Sequence, residues 1–172
     1  MNASLSQAPN SPLIEIDGSQ GEGGGQVLRT SLSLSMLSGR AVRLHNIRAG
    51  RHKPGLMRQH LTCVLAAARV CSAQVEGAAI GSTALEFRPG PIQGGDYGFA
   101  IGSAGSTSLV VQTLLPALLQ APGRSRLRIE GGTHVPMAPS ADFIEHAFLP
   151  VLRGMGASIQ FRLERHGFLP AG

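Results

Sequence analysis

Between Asp17 and Leu32 the chain reads DGSQGEGGGQVLRTSL, with a single carboxylate, Glu22, set among glycines. A glycine-rich turn between a strand and a helix leaves backbone N–H groups free at the helix N-terminus, where partial positive charge collects and anions bind. A carboxylate there repels a phosphate unless something neutralises it. A divalent cation can, because Mg²⁺ takes carboxylate and phosphate oxygens together. Nearby guanidinium groups can as well. Arg29 lies two helical turns beyond Glu22, on nearly the same face. The segment IRAGRHKPG supplies Arg48 and Arg51, and Arg58 and Gln59 follow at the start of the next helix. If the strands ahead of these segments are parallel neighbours, their following loops gather at one sheet edge. Glu22, Arg48 and Arg51 then meet at that edge and form an anion site.

The common glycine motifs do not account for this stretch. Gln26 stands where a dinucleotide fingerprint needs its third glycine, and no lysine completes a Walker loop. Gln112 sits among apolar neighbours in a helical stretch. A buried amide needs partners, so it either bonds locally or recognises a polar ligand. His45, His60 and His146 read as packing or surface residues, whereas His52 and His134 occupy equivalent prolyl loops and are candidates to touch an anion. No Ser-His-Asp or Cys-His arrangement follows from spacing. Cys63 and Cys71 fall in one helical pattern without zinc spacing, as small buried apolar residues.

The elements that must position these groups occur twice. Residues 13–77 align with 97–161 at an offset of 84: a strand, a Gly-Ser-x-Gly turn and a helix, then a second strand, a prolyl loop, a second helix and a further strand. The helices are QVLRTSLSLSMLSG, PGLMRQHLTCVLAAARVCSA, LVVQTLLPALLQAPG and PSADFIEHAFLPVLRGMGA. In the second, Leu56, His60, Leu61, Val64, Leu65, Ala68 and Cys71 trace one face, with Pro54 in the first turn. In the fourth, Ser140 is the expected N-cap, and Phe143, Ile144, Ala147, Phe148 and Val151 form the apolar stripe. Pro116 and Pro150 should each bend or end a helix. ALEFRPG adds a last strand to the first unit, and SIQFRL is the third strand of the second. The fold class is therefore α/β in two layers (α+β): tandem βαβαββ repeats with the sheet on one side and the helices on the other. Residues 1–12 read as a disordered tail, 13–96 as the first repeat and 97–172 as the second, lacking its last strand. That sheet should present an open edge, inviting self-association or leaving the C-terminus partly disordered.

At 172 residues and a formal net charge of +5, the chain carries its positive charge almost wholly as arginine, with Lys53 the only lysine. No acidic residue interrupts the run from Gly23 to Val75, which holds seven arginines and that lysine. This asymmetry favours an anionic partner such as nucleic acid, nucleotide or an acidic surface. With one Tyr, no Trp and six Phe, it argues against a general single-strand stacking platform. No run is long enough for a membrane helix, and the N-terminus has no signal-peptide core, so the default location is cytoplasmic.

Taken together, DGSQGEGGGQVLRTSLSLS, IRAGRHKPGLMRQHL, RPGPIQGGDY, IGSAGSTSLVVQTLLPAL, GGTHVPMAPSADFI and RHGFLPAG resemble the RNA 3′-terminal phosphate cyclase family. The resemblance spans Ile14 to Gly172 and matches the family's N-terminal portion. It implies repeats like the C-terminal domain of a bacterial translation initiation factor. It also implies ATP-dependent conversion of an RNA 3′-phosphate to a 2′,3′-cyclic phosphate, through an adenylated histidine and an RNA adenylate, with a divalent metal (Mg or Mn) assisting.

Carried onto this chain by motif, Glu22 holds the metal near the ATP phosphates and Arg29 positions that loop or contacts phosphate. Arg48, Arg51 and Gln59 contact ATP or RNA phosphates, and Gln112 binds the nucleotide. None of the six histidines matches the nucleophile's motif, which lies in a C-terminal portion beyond Gly172, so no catalytic residue is assigned and the chain alone should not self-adenylate. The partners implied are RNA 3′-phosphate ends, ATP and the missing C-terminal half, with no membrane. Two other readings stay open. One is a non-catalytic cyclase-like RNA-binding protein in ribosome maturation, against which the presence of Glu22, Arg48, Arg51 and Gln112 counts. The other is a stand-alone anion-binding module.

Overall fold

The structure is a computed structural model that describes residues 12–172. All but Pro12 of the expected N-terminal tail lies outside the described residues. The first repeat runs β1 (Ile14–Asp17), α1 (Gln26–Ser38), β2 (Val42–His45), α2 (Arg58–Cys71), β3 (Gln74–Glu76) and β4 (Leu85–Arg88). Its four strands lie in the order β1-β2-β4-β3, with β1 and β2 parallel and β4 antiparallel to both its neighbours. The second repeat gives β5 (Asp96–Ala100), α3 (Thr107–Leu118) and β6 (Arg126–Glu130). A broken helix follows, made of α4 (Ala141–Phe143), a π-helical turn (Ile144–Phe148) and α5 (Leu149–Gly154). Strands β5 and β6 pair in parallel as a separate two-stranded sheet.

The two-layer arrangement follows from side-chain alternation. Val42, Leu44, Leu85 and Phe87 point from the first sheet into the core, where they meet Leu28, Leu32 and Met36 of α1 and Val64, Ala67 and Val70 of α2. The opposite sheet face carries a cross-strand charge ladder: Arg43 reaches Glu15 at 2.9 Å and Glu86 at 2.7 Å. Helix α3 packs on both α1 and α2, and its Val110, Leu114 and Ala117 join the same core.

Four local expectations need correction. Helix α2 starts at Arg58, so Pro54 precedes it; Gly55 and Leu56 instead bond the backbone of Ile47, Gly81 and Ser82, which holds these residues in the loop. The buried face of α2 is Cys63, Val64, Ala66, Ala67, Val70 and Cys71, with Leu65 turned outward, because α3 covers the small-residue side. In the fourth helix Ser140 caps as expected, accepting from the Phe143 N–H, but Phe143 and Val151 are exposed while Ile144 and Leu149 are buried. The π turn immediately before Pro150 rotates the stripe and accommodates the proline near the start of α5. Finally, SIQFRL forms no strand. The reason lies in the topology: in the first repeat β3 pairs only with β4, and among the described residues no counterpart of β4 lies beside this segment to pair with it.

Candidate anion site at the glycine-lined rim

Because β1 and β2 are parallel, their following loops emerge at the same edge, and they touch backbone to backbone. The Gly50 N–H donates to the Gly23 carbonyl at 3.1 Å. A side chain at Gly50 would press on the Glu22 carbonyl oxygen at 2.6 Å, and one at Gly23, where φ is +54°, would meet the Gly50 nitrogen at 2.7 Å. The glycines therefore bring two loops into contact as well as making a turn.

That contact fixes the outer pair. Arg51 Nη2 lies 3.1 Å from Glu22 Oε2, and its guanidinium passes over Gly24, where a Cβ would stand 2.8 Å from Nη2. The Glu22 side chain is 88% exposed and open to a further partner. Gly25, at the N-terminus of α1, offers no side-chain cap, so the opening N–H groups of the helix keep their affinity for an anion.

The other predicted residues form an inner layer. Arg29 is buried, its Nη2 donating to Gln26 Oε1 at 2.8 Å and its Nε to Gln112 Oε1 at 3.2 Å. Gln112 thus ties α3 of the second repeat to α1 of the first. Arg48, in the left-handed region at φ +58°, turns its Nη1 onto the carbonyls of Lys53 and Gly55, both at 2.7 Å, and so folds its own loop. Gln59 accepts from the Ser106 N–H at 2.7 Å, and Arg58 donates to the Gly102 carbonyl at 2.6 Å. The two glycine loops consequently differ. In the second, the Ser106 and Thr107 N–H groups are already taken, by Gln59 and the Gly132 carbonyl, and Ser106 itself caps α3. Only the first loop has both an uncapped helix start and an exposed ion pair.

Among the described residues, no three of His, Cys, Asp and Glu converge as metal ligands. One carboxylate beside an anion pocket nevertheless fits Mg²⁺, which is often held by one or two carboxylates with substrate phosphates completing its shell. His134, read from its loop as an anion contact, is committed elsewhere: Nε2 lies 2.9 Å from Asp142 and Nδ1 2.8 Å from Thr133.

His60, a packing or surface residue on the sequence reading, packs against the glycine loop. Its ring lies under Gly25, where a Cβ would strike Nε2, and its buried Nδ1 has no hydrogen-bond partner among the described residues. Burial, and then the positive charges of Arg48 and Arg29, push its pKa down to about 4. The signal was Gly25 itself. With φ −78° it has no conformational need to be glycine, so something must occupy the space of a Cβ. Because folding depresses this pKa, the neutral ring contributes stability fully above the ordinary histidine value near 6.5. That contribution is lost as pH falls from there toward 4, since the unfolded chain takes up the proton first. Thermal melts should therefore show a fall in Tm over this window that is shallower in His60→Gln; equal slopes in both proteins would remove His60 as its source.

A family model for RNA 3′-terminal phosphate cyclase matches residues 20–172. The chain is 62% identical over 160 residues to the RNA 3′-terminal phosphate cyclase of Pseudomonas fluorescens, covering 93% of the chain and 46% of that protein. It is 59% identical over 172 residues to the protein of the same name from Ralstonia nicotianae, covering 100% of the chain and 49% of that relative. The chain thus spans about half the length of the curated relatives it matches. Matched along nearly its whole length, this chain belongs to the RNA 3′-terminal phosphate cyclase family.

Proposed function

We propose that the chain is the N-terminal part of an ATP-dependent RNA 3′-phosphate cyclase and supplies its phosphate-binding rim. The observation that carries this reading is the exposed Glu22–Arg51 pair, held where two glycine loops meet in front of an uncapped helix. In the reaction, a histidine outside these 172 residues attacks the α-phosphorus of ATP and releases pyrophosphate. An oxygen of the RNA 3′-phosphate then takes the AMP, and the vicinal 2′-hydroxyl displaces it to close the cyclic phosphate. A divalent metal, when bound, supplies positive charge for the triphosphate.

The chain's own residues bind and orient. Glu22 would hold the cation, and Arg51, beside it, contacts phosphate. Arg48 and Arg29 add fixed positive charge behind the rim, the first by shaping its loop and the second through Gln26 and Gln112. Gln59 and Arg58 fix the second loop relative to the first. Gln112 borders a cleft of about 230 Å³ between α1 and α3 and a smaller apolar one between α3 and α4, consistent with a role toward the nucleoside.

The full-length protein should convert an oligoribonucleotide 3′-phosphate, with ATP and Mg²⁺, into a phosphatase-resistant cyclic end. The 172-residue chain by itself should form no covalent AMP adduct. A full-length protein that leaves the 3′-phosphate untouched would exclude the catalytic reading and favour RNA binding alone.

A further inference from the structure

Aromatic residues are few in this chain, yet one phenylalanine ring and two imidazoles gather at one point. His166 and Phe168 are alternate residues of an exposed segment, and their rings lie parallel within 5°, with centroids 6.0 Å apart. The His134 ring completes the group, 5.2 Å from His166 and 5.5 Å from Phe168, tilted by 32–34°. The core does not drive this arrangement, because Phe168 is 56% exposed.

The cluster is built rather than loosely placed. The Gly167 carbonyl accepts from the Thr133 and His134 N–H groups at 2.9 and 3.1 Å, and the Gly167 N–H donates to Thr133 Oγ1 at 2.9 Å. Hydrogen-bond bookkeeping then orients His134. With Nε2–H donating to Asp142, Nδ1 accepts from the Thr133 hydroxyl, and the ring cannot turn without breaking both bonds. His134 in turn holds the Asp142 carboxyl below the usual carboxylate range, so the partner stays ionised. Gly167 packs against the Gly131 carbonyl, where no Cβ fits, so its neighbours are held on the outer side.

Its position suggests what it meets. The cluster follows β6 and lies beside the second glycine loop, to which Gly132 is bridged through Ser106. Arg58 and Gln59 tie that loop to the start of α2, the helix that follows the segment carrying Arg51, so contacts link the ring cluster to the anion site. Parallel rings presented beside a phosphate-binding rim suit a nucleotide, whose base stacks while its phosphate is held by charge.

We propose that His166 and Phe168, supported by His134, form a stacking site for the base of the 3′-terminal nucleotide of RNA. This rests on the reading that the chain handles RNA 3′-phosphate ends. Recognition is by the π face, so it should accept every base with little preference.

The test is fluorescence anisotropy on the 172-residue chain with three short oligoribonucleotides: one ending in a 3′-phosphate, the same one with its last base removed, and one ending in a 3′-hydroxyl. The intact phosphorylated oligomer should bind about five- to tenfold more tightly than the abasic one, within the range that stacking contributes. Phe168→Ala should abolish that difference and leave the abasic affinity unchanged, while Phe168→Tyr restores it. His166→Ala should act in the same direction. Equal binding of base-bearing and abasic ends, or a Phe168→Ala loss shared by both, overturns the stacking site while leaving 3′-phosphate recognition standing. Failure to prefer the 3′-phosphate over the 3′-hydroxyl removes the reading beneath it, and the stacking site falls too.

Discussion

Gly25→Ala is expected to destabilise the chain by about 1–3 kcal/mol, the usual cost of forcing a methyl into a packed space. Nothing in the backbone forbids alanine there: φ is −78° and ψ −6°, ordinary right-handed values. As the N-cap of α1 the position favours glycine over alanine, so local preference adds to the loss without accounting for all of it. The obstacle is a Cβ that would strike His60 Nε2 and stand 2.9 Å from Arg29 Nη1. Neither neighbour yields easily, since Arg29 is fixed by Gln26 and Gln112 and the His60 ring is held against the loop with its Nδ1 buried. Urea unfolding measures the effect, and the double substitution Gly25→Ala with His60→Ala isolates its cause. If the clash is responsible, the second change should cost much less in the Gly25→Ala background than alone, a coupling readable from the cycle. Strict additivity would show that the glycine serves some other purpose.

Gly25 also marks where reading the sequence stops. The repeat, the order of elements and the meeting of the loops after β1 and β2 were legible, because periodicity, punctuation and parallel pairing are local or topological signals. Hence the Glu22–Arg51 contact could be anticipated from spacing. What side chains do after reaching the rim could not. Arg48 and Arg51 look equivalent in RAGR, but a left-handed backbone at Arg48 sends one guanidinium into its own loop while the other faces Glu22. Gln59 and Gln112 looked like ligand groups, and both make long-range bonds between repeats that no periodicity encodes. SIQFRL alternates as a strand should, yet pairing decides strands, and among the described residues it has no partner. The ring cluster joins His134 to His166 and Phe168, more than thirty residues away in sequence, and so was invisible to a count of aromatics.

Glu22→Ala in the full-length protein is expected to reduce ATP-dependent cyclisation by about a hundredfold while leaving the melting temperature nearly unchanged. Stability should hold because the carboxylate is 88% exposed and its one partner is a surface arginine, an interaction that contributes at most about 1 kcal/mol. Activity should not, because an exposed acid beside an anion site is well placed to hold a cation that meets the phosphates. Without the acid, the cation relies on phosphate oxygens and water, and losses of 10–100-fold or more accompany damage to such a shell. Raising Mg²⁺ should recover part of the Glu22→Ala rate, since the defect is one of metal affinity. Arg51→Ala separates the two roles of the pair: it should raise the KM for ATP, with no recovery at high Mg²⁺, because a lost guanidinium is not replaced by more metal. A Glu22→Ala enzyme with normal activity at low Mg²⁺ would mean that the carboxylate only steadies Arg51, and that the arginines alone hold the phosphates.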